Sequence, residues 1–263
     1  MKPVRDDNPV RGSITVSNLS ISTRGKSSTC LVENLNLVVT PGEIIGLVGE
    51  SGSGKSLTLR AILGILPPGI QQSGGTVNVE GRVGMVFQDP LAALDPLEKI
   101  GKQIADSVLA NSRLGWGREA RVQAKKRALD LMSAVRLPQP DERYHWYPHQ
   151  LSGGQRQRVV IAIALATSPD ILLCDEPTTA LDVTVQQQVL ELLQDLHVER
   201  RLTIVFVSHN LAVVSGICSR MAVMSHGKII ESGPTLEVLN HPQEQYTRML
   251  IDSVLPLPDE DQK

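Results

Sequence analysis

The stretch that decides the fold covers residues 44–56, where an apolar run, Ile44-Ile45-Gly46-Leu47-Val48, leads directly into Gly49-Glu50-Ser51-Gly52-Ser53-Gly54-Lys55-Ser56. The second part fits G-x-x-x-x-G-K-[ST], the pattern of phosphate-binding loops, and stands between a predicted strand and a helical pattern that begins at Leu57. Its glycines let successive N–H groups face a phosphate, and the helix that follows adds its dipole. A plain glycine turn is the weaker interpretation, because such a match arises by chance in roughly one chain in a hundred.

Two sets of polar residues, one inside this loop and one downstream, indicate which reaction the loop takes part in. Lys55 is expected to reach the β- and γ-phosphates of a nucleotide, and Ser56 to bind Mg²⁺. Downstream, the apolar run Ile171-Leu172-Leu173-Cys174 ends in Asp175-Glu176. We expect Asp175 to hold Mg²⁺, directly or through water, and Glu176 to orient and polarise the attacking water. On its own such a strand end is equally well explained by its reaching solvent, but beside the loop it indicates nucleotide hydrolysis.

Strand and helix patterns alternate along the chain. Apolar strand patterns occur at 14–16, 35–39, 171–174 and 203–207, with a helical pattern near 184–199. Such alternation predicts parallel βαβ units. From about Asp95 to Val135 the pattern is helical, and it is predicted to bury one face, made of Val122, Leu129, Met132 and Val135. Each motif occurs once and no repeat is visible, so a single nucleotide-binding domain is predicted.

Composition excludes several classes of protein. With 26 basic and 28 acidic residues the net charge is -2, which disfavours nucleic acid as a partner. The cysteines, Cys30, Cys174 and Cys218, have neither disulfide-framework nor zinc-site spacing. The start of the sequence is polar, which predicts no leader peptide. The longest apolar run, 159–166, is too short to span a membrane. A cytoplasmic protein is therefore expected.

The pentapeptide Leu151-Ser152-Gly153-Gly154-Gln155, followed by a helical pattern, narrows the choice among P-loop proteins. It resembles the signature of the ABC ATPases. The resemblance implies that Ser152, Gly153, Gly154 and Gln155 bind the γ-phosphate of ATP held by a second subunit. One chain then contributes half of each of two sites, and ATP closes the dimer.

Three more positions resemble that family in the expected order. Gln88, in Val86-Phe87-Gln88-Asp89-Pro90, is similar to the glutamine that contacts Mg²⁺ or the lytic water and reports nucleotide state to membrane subunits. Asp182 resembles the residue of the loop that couples the two sites. His209 is similar to the switch histidine, which contacts the γ-phosphate and steadies Glu176. The resemblance therefore covers about residues 14–250.

Fold, cofactors and partners follow from the resemblance. It implies an α/β fold: a P-loop NTPase (RecA-like) core with an antiparallel β-subdomain and an ABC-type α-helical subdomain. Residues 1–263 would form one domain, with the helical subdomain at approximately 90–165 and a C-terminal tail at approximately 240–263. ATP and Mg²⁺ are the expected cofactors. The expected partners are a second ATPase subunit, identical or different, two membrane permeases and, indirectly, a solute-binding protein, which places the chain at the cytoplasmic face of the inner membrane.

Several short stretches of the sequence are similar to those of ATPases of oligopeptide, dipeptide and nickel importers. They are Tyr147-Pro148-His149-Gln150, residues 175–184, and the C-terminal His241-Pro242 and Tyr246-Thr247-Arg248. The longer peptide-type ATPases commonly carry a cysteine-bearing C-terminal extension. Because this chain has no cysteine after Cys218, the shorter nickel or metal-chelate branch is favoured. A non-transport ABC ATPase of DNA repair or translation, and a regulatory module that no longer hydrolyses ATP, are the alternatives.

Two features depart from the family pattern. No Phe, Tyr or Trp precedes Phe87, so the aromatic residue on which ABC ATPases usually stack adenine, expected near 22–25, is missing. Arg24 or an apolar surface is predicted to substitute, with weak base selectivity. The segment between 75–79 and 83–88 is also shorter than in most relatives, which makes the placement of Gln88 a point for the structure to decide.

Overall fold

The structure is a computed structural model that describes residues 12–25, 27–111, 115, 117–179 and 181–253. The strands are β1 (Ser13–Thr23), β2 (Cys30–Val39), β3 (Ile44–Val48), β4 (Ile70–Glu80), β5 (Val83–Val86), β6 (Ile171–Asp175), β7 (Thr203–Ser208), β8 (Arg220–Ser225) and β9 (Lys228–Pro234). The helices are α1 (Lys55–Leu63), α2 (Pro90–Ala93), α3 (Ile100–Asn111), α4 (Arg118–Ala134), α5 (Pro140–Arg143), α6 (Gly153–Leu165), α7 (Val183–Arg200), α8 (Leu211–Ile217), α9 (Thr235–Asn240) and α10 (Gln245–Ser253), with a 3₁₀ turn at Pro148–Gln150.

The central sheet has the order β5-β6-β7-β3-β8-β9, and its first five strands run parallel. Strands β3, β6 and β7 are buried along their whole length, as expected for a parallel sheet covered on both faces. The predicted βαβ units are thus confirmed. Parallel strands present their carboxyl ends at one edge, so the loops after β3, β5, β6 and β7 meet there.

A second, antiparallel sheet has the order β2-β1-β4. Its inner residues share one hydrophobic cluster with α1 and one face of the central sheet, including Ile14, Val39, Leu47 and Leu59. The apolar residues that marked β1 in the sequence therefore lie mainly on its buried face. This packing fixes α1, and with it the loop that precedes α1, against the sheet.

The helical region between β5 and β6 differs from its prediction in one respect. The pattern from about 95 to 135 forms two helices, α3 and α4, and the buried stripe of α4 consists of Ala120, Ala124, Ala128, Leu131 and Met132. Val122 was predicted on this face, but it is 64% exposed. Alanines spaced by four residues let α4 lie close to its neighbouring helices. The β-branched Val122 lies instead on the side of α4 that faces solvent. The expectation for Val122 was wrong because alanine was not counted as an apolar marker.

Within the described ranges, none of the helices combines the length and the apolar character that crossing a membrane requires.

Candidate functional site

The loop Gly49–Ser56 joins β3 to α1 at the carboxyl edge of the central sheet. Gly49 has φ 151°, and a Cβ atom there would lie 2.1 Å from the carbonyl oxygen of Met224. Only glycine fits this close approach. Glu50, Ser51 and Gly52 are exposed at the tip, and Ser53 is buried beneath it. The loop thus presents its backbone to solvent as a phosphate-binding loop must.

Lys55 lies under this loop with only 4% of its surface exposed. Its Nζ donates hydrogen bonds to the carbonyl oxygens of Gly49 and Glu50, both at 2.7 Å. Burial lowers the pKa of Lys55, and the carboxylates of Glu176, Asp175 and Glu50 oppose that shift. The Lys55 ammonium group is therefore held near acidic side chains, at the place where the loop would enclose a phosphate.

Ser56 and Asp175 meet across 119 residues of sequence: the Ser56 hydroxyl donates to Oδ1 of Asp175 at 2.7 Å. Asp175 ends β6 and is 2% exposed. Burial raises the pKa of Asp175, while the hydrogen bond from Ser56 counteracts the rise. A hydroxyl and a carboxylate side by side are hard oxygen donors of the kind that Mg²⁺ prefers, so these residues fit the ion that the sequence predicted.

Glu176 has three hydrogen-bonding partners on a single carboxylate oxygen, Oε2. The Thr179 hydroxyl donates to it at 2.8 Å and the Gln88 amide at 3.3 Å. The His209 Nδ1 lies 3.1 Å from the same oxygen. Glu176 itself adopts φ 47°, an uncommon conformation for a residue with a side chain. The backbone N–H of Glu176 also bonds to the carbonyl of Val207 at 3.1 Å, which holds this turn beside β7.

Residues from three strand ends therefore converge, because Gln88 follows β5, Glu176 follows β6 and His209 follows β7. The parallel pairing of β5 with β6 brings Gln88, which follows β5, beside the residues that follow β6. A cleft of about 750 Å³ opens beside these residues, and its lining includes Ser56, Leu57, Gln88 and Asp175.

The signature residues lie elsewhere on the molecule. Ser152 caps α6: its Oγ accepts from the N–H of Gln155 at 3.3 Å, and Gln155 Oε1 accepts from the N–H of Ser152 at 3.2 Å. This reciprocal capping box holds the helix start in place. Ser152 and Gly153 are exposed, and Gly154 is buried against α7, where a Cβ would lie 2.3 Å from Val185 Cγ1.

Asp182 is exposed and caps α7, with its Oδ1 accepting from the N–H of Val185 at 2.9 Å. Among the residues that the structure describes, no hydrogen bond joins Ser152–Gln155 or Asp182 to the loop Gly49–Ser56. The sequence-predicted set thus divides into one group at the phosphate loop and a second, mostly exposed group at the starts of α6 and α7. Neighbouring Ala180 lies outside the described residues.

Sequence reasoning missed two residues at this edge of the sheet. Thr179 stood inside a quoted motif without a role, although a hydroxyl three residues after Glu176 is well placed to bond back to it. Tyr246, on α10, accepts a hydrogen bond from the backbone N–H of Glu50 at 3.0 Å. No local sequence signal connects residues so far apart in the chain.

Comparison with known proteins gives a consistent picture. The family model described as "ABC transporter" matches residues 32–179. An oligopeptide transport ATP-binding protein of Bacillus subtilis is 42% identical over 241 residues, which cover 85% of this chain and 66% of that protein. A putative peptide import ATP-binding protein of Brucella abortus is 40% identical over 265 residues, which cover 94% of this chain and 78% of the relative.

Among solved structures, a dimeric ATP-binding cassette in a post-hydrolysis state, bound to ADP and phosphate, matches with a TM-score of 0.72 and 29% identity. The match covers 84% of this chain and 98% of the cassette. The chain thus corresponds to nearly all of that cassette but to only about two thirds of the Bacillus subtilis relative.

Proposed function

This chain belongs to the ABC transporter family and is an ATPase of it, and from that premise we propose that it powers the import of peptides through partner membrane permeases. The observation that carries the proposal is the convergence of Lys55, the Ser56–Asp175 pair and the hydrogen-bonded Glu176 at one edge of the central sheet. These are the charges and donors that cleavage of a terminal phosphate requires.

In the proposed reaction Glu176 acts on a water molecule beside the γ-phosphate of ATP. As the water oxygen bonds to phosphorus, the bond from phosphorus to the β,γ-bridging oxygen breaks, a proton passes from the water to the carboxylate, and ADP leaves. Thr179 and His209 hold Oε2 of Glu176, so the carboxylate is oriented before the substrate arrives. Lys55 and the loop N–H groups stabilise the charge that accumulates on the phosphate oxygens.

Ser56, Asp175 and Gln88 are the residues we assign to Mg²⁺. When bound, the ion neutralises phosphate charge during the transfer. The oxygen donors of Ser56 and Asp175 are already in contact, and the Gln88 side chain lines the same cleft and reaches Glu176. Gln88 would therefore relate the ion site to the surface on which a permease acts.

We assign Ser152, Gly153, Gly154, Gln155 and Asp182 to the site of a second ATPase subunit. Ser152, Gly153 and Asp182 are exposed. No hydrogen bond within the described residues joins the set to the chain's own phosphate loop. Both observations support the assignment, because donors at a helix start are available for an anion from outside. The solved cassette to which the chain is similar is a dimer bound to ADP and phosphate. Each site would then be completed by the partner subunit, identical or different.

The adenine base of ATP has no aromatic residue to stack on near the end of β1. Arg24 is exposed immediately after β1, and its backbone N–H bonds to the carbonyl of Gly69 at 2.8 Å. The guanidinium plane of this side chain would offer a stacking surface in place of an aromatic ring. We therefore propose weak selection of ATP over GTP.

For the transported solute we propose peptides, because both curated relatives described above are named for oligopeptide or peptide transport. The nickel or metal-chelate branch, which the sequence favoured, remains a prediction without support from those names.

Partners would be two membrane permeases and, beyond them, a solute-binding protein, with the chain attached peripherally to the cytoplasmic face of the inner membrane. A regulatory module without turnover is the less favoured alternative, since Lys55, Asp175 and Glu176 are all present and in contact distance of suitable partners.

Purification of the chain with its membrane partners tests the proposal. We expect permeases to co-purify, and proteoliposomes that contain the assembly to take up a radiolabelled oligopeptide only with external solute-binding protein and internal MgATP. Uptake of nickel or a metal chelate, with no peptide uptake, would instead support the nickel branch. Failure of any membrane protein to co-purify with the active ATPase would instead favour a non-transport ATPase.

A further inference from the structure

We propose that Tyr246 is a positioning residue for the phosphate loop and couples helix α10 to the nucleotide. The observation is that one peptide group, between Gly49 and Glu50, is held on both sides. Its carbonyl oxygen accepts from Lys55 Nζ at 2.7 Å, and its N–H donates to the Tyr246 hydroxyl at 3.0 Å. A peptide group is planar, so fixing its N–H also fixes the direction of its carbonyl.

Helix α10, which carries Tyr246, is held in place by its own contacts. Glu231, on β9, accepts hydrogen bonds from the N–H groups of Gln243 at 2.8 Å and Glu244 at 3.2 Å, at the start of α10. Tyr246 packs against the hydrophobic cluster of the central sheet, together with Leu250 and Ile251 from the same helix. The Tyr246 hydroxyl is therefore presented to the loop by a helix fixed at its start and along one face.

The loop, in contrast, needs this support. Gly49, with φ 151°, has no side chain to restrict rotation of the peptide that follows it, and Glu50 is exposed. Without the Tyr246 hydroxyl, Lys55 would be the one hydrogen-bonding partner of that peptide among the residues that the structure describes. Lys55 is also the group that must turn to the phosphates when ATP binds. Tyr246 thus keeps the loop in its binding shape while Lys55 changes partners.

The coupling is reciprocal. If the Tyr246 contact favours the loop shape that binds ATP, bound ATP must stabilise the contact and hence α10 by the same factor. One neutral hydrogen bond corresponds to about two- to tenfold in an equilibrium constant. The inference rests on the proposed ATP binding by this loop, and it assigns a role to Tyr246, which the family resemblance included without one.

The test compares wild type with Tyr246→Phe, which removes the hydroxyl and keeps the ring. We expect the Kd for MgATP, measured by calorimetry, and the KM to rise about two- to tenfold, while kcat at saturating ATP changes less than about twofold. In hydrogen exchange, MgATP should slow exchange of residues 245–253 in wild type, and this protection should be lost in Tyr246→Phe. Tyr144→Phe removes a hydroxyl from a ring that packs against Gly101 of α3, in the helical region between β5 and β6, and should behave as wild type.

Unchanged Kd and unchanged MgATP-dependent protection in Tyr246→Phe would overturn the inference. A lowered Tm with unchanged Kd would also overturn it, because Tyr246 would then only stabilise the fold. If wild type itself failed to bind MgATP, the proposed function would fail first. Wild-type binding together with an indifferent Tyr246→Phe would refute only the role of Tyr246.

Discussion

His209 Nδ1 lies 3.1 Å from Oε2 of Glu176, although the two residues follow different strands of the central sheet. The histidine is 58% exposed and the glutamate 13%. A mostly buried carboxylate is thus oriented by a ring that can still reach a ligand in the cleft. This relationship gives His209 two partners in the proposed reaction, the carboxylate behind it and the terminal phosphate in front.

Replacement of His209 by alanine should therefore lower kcat by about 10²–10⁴-fold, the range for loss of a group that supports proton transfer. ATP binding should change little, because Lys55 and the loop N–H groups remain. Steady-state hydrolysis and calorimetric binding of MgATP measure the two effects. His241→Ala, which changes an exposed histidine at the end of α9, is the matched control. A His209→Ala enzyme with wild-type kcat would remove the histidine from the mechanism.

Thr179→Val tests the second donor to Glu176. Valine keeps the shape of threonine but removes the hydroxyl that donates at 2.8 Å. We expect kcat to fall roughly tenfold, corresponding to one lost hydrogen bond to a charged group, with the Kd for ATP unchanged. Thr184→Val, at an exposed position in the first turn of α7, controls for the substitution itself. Equal kcat in both variants would show that the hydroxyl does not position Glu176.

The pair Glu43–Arg220 gives a prediction about stability and pH. Arg220 Nε donates to Glu43 Oε1 at 2.6 Å, and Thr40 donates to the other carboxylate oxygen through its N–H and its hydroxyl, each at 2.8 Å. Burial acts to raise the pKa of Glu43, but these hydrogen bonds outweigh it and hold the pKa below its ordinary value of 4.5. A lowered pKa means that the carboxylate stabilises the fold above pH 4.5 and loses this contribution as the pH falls through the folded-state pKa.

Glu43→Gln should therefore lower the free energy of unfolding by about 1–2 kcal/mol at pH 7. The difference between wild type and variant should shrink as the pH falls below 4.5. Urea unfolding across pH measures it. Glu98→Gln breaks an exposed pair with Lys102 and should change stability far less than Glu43→Gln does, because solvent screens the exposed pair. A difference for Glu43→Gln that is constant with pH would rule out the ionised pair as its source.

Much of the site was predictable because it is encoded locally. The loop Gly49–Ser56 needs its residue types in a fixed order, so the motif and its position after a strand were enough. The meeting of Ser56 with Asp175 followed from the parallel sheet, which brings strand ends together. What failed depends on three-dimensional neighbours. Val122 was misplaced because alanines form the packing stripe of α4, and Tyr246 reaches Glu50 only through the docking of α10.

The shared site can be tested with mixed dimers of two differently tagged chains. One chain carries Lys55→Ala and Ser152→Arg, and the other is wild type, so the only intact phosphate loop faces the altered signature. We expect turnover to fall to background, because an arginine at the start of α6 blocks closure against the partner. The control dimer, with Lys55→Ala alone in the first chain, should retain measurable turnover. Equal turnover in the two dimers would refute a site completed by the partner subunit.

The most direct test of the central claim, hydrolysis of ATP by Glu176 in a dimeric site, is Glu176→Gln. The amide keeps the size of the side chain but accepts no proton from water. We predict that kcat falls by at least about 10²-fold, that MgATP still binds with near wild-type Kd, and that ATP converts the variant to a stable dimer in light scattering. Near-normal hydrolysis by Glu176→Gln would contradict the account.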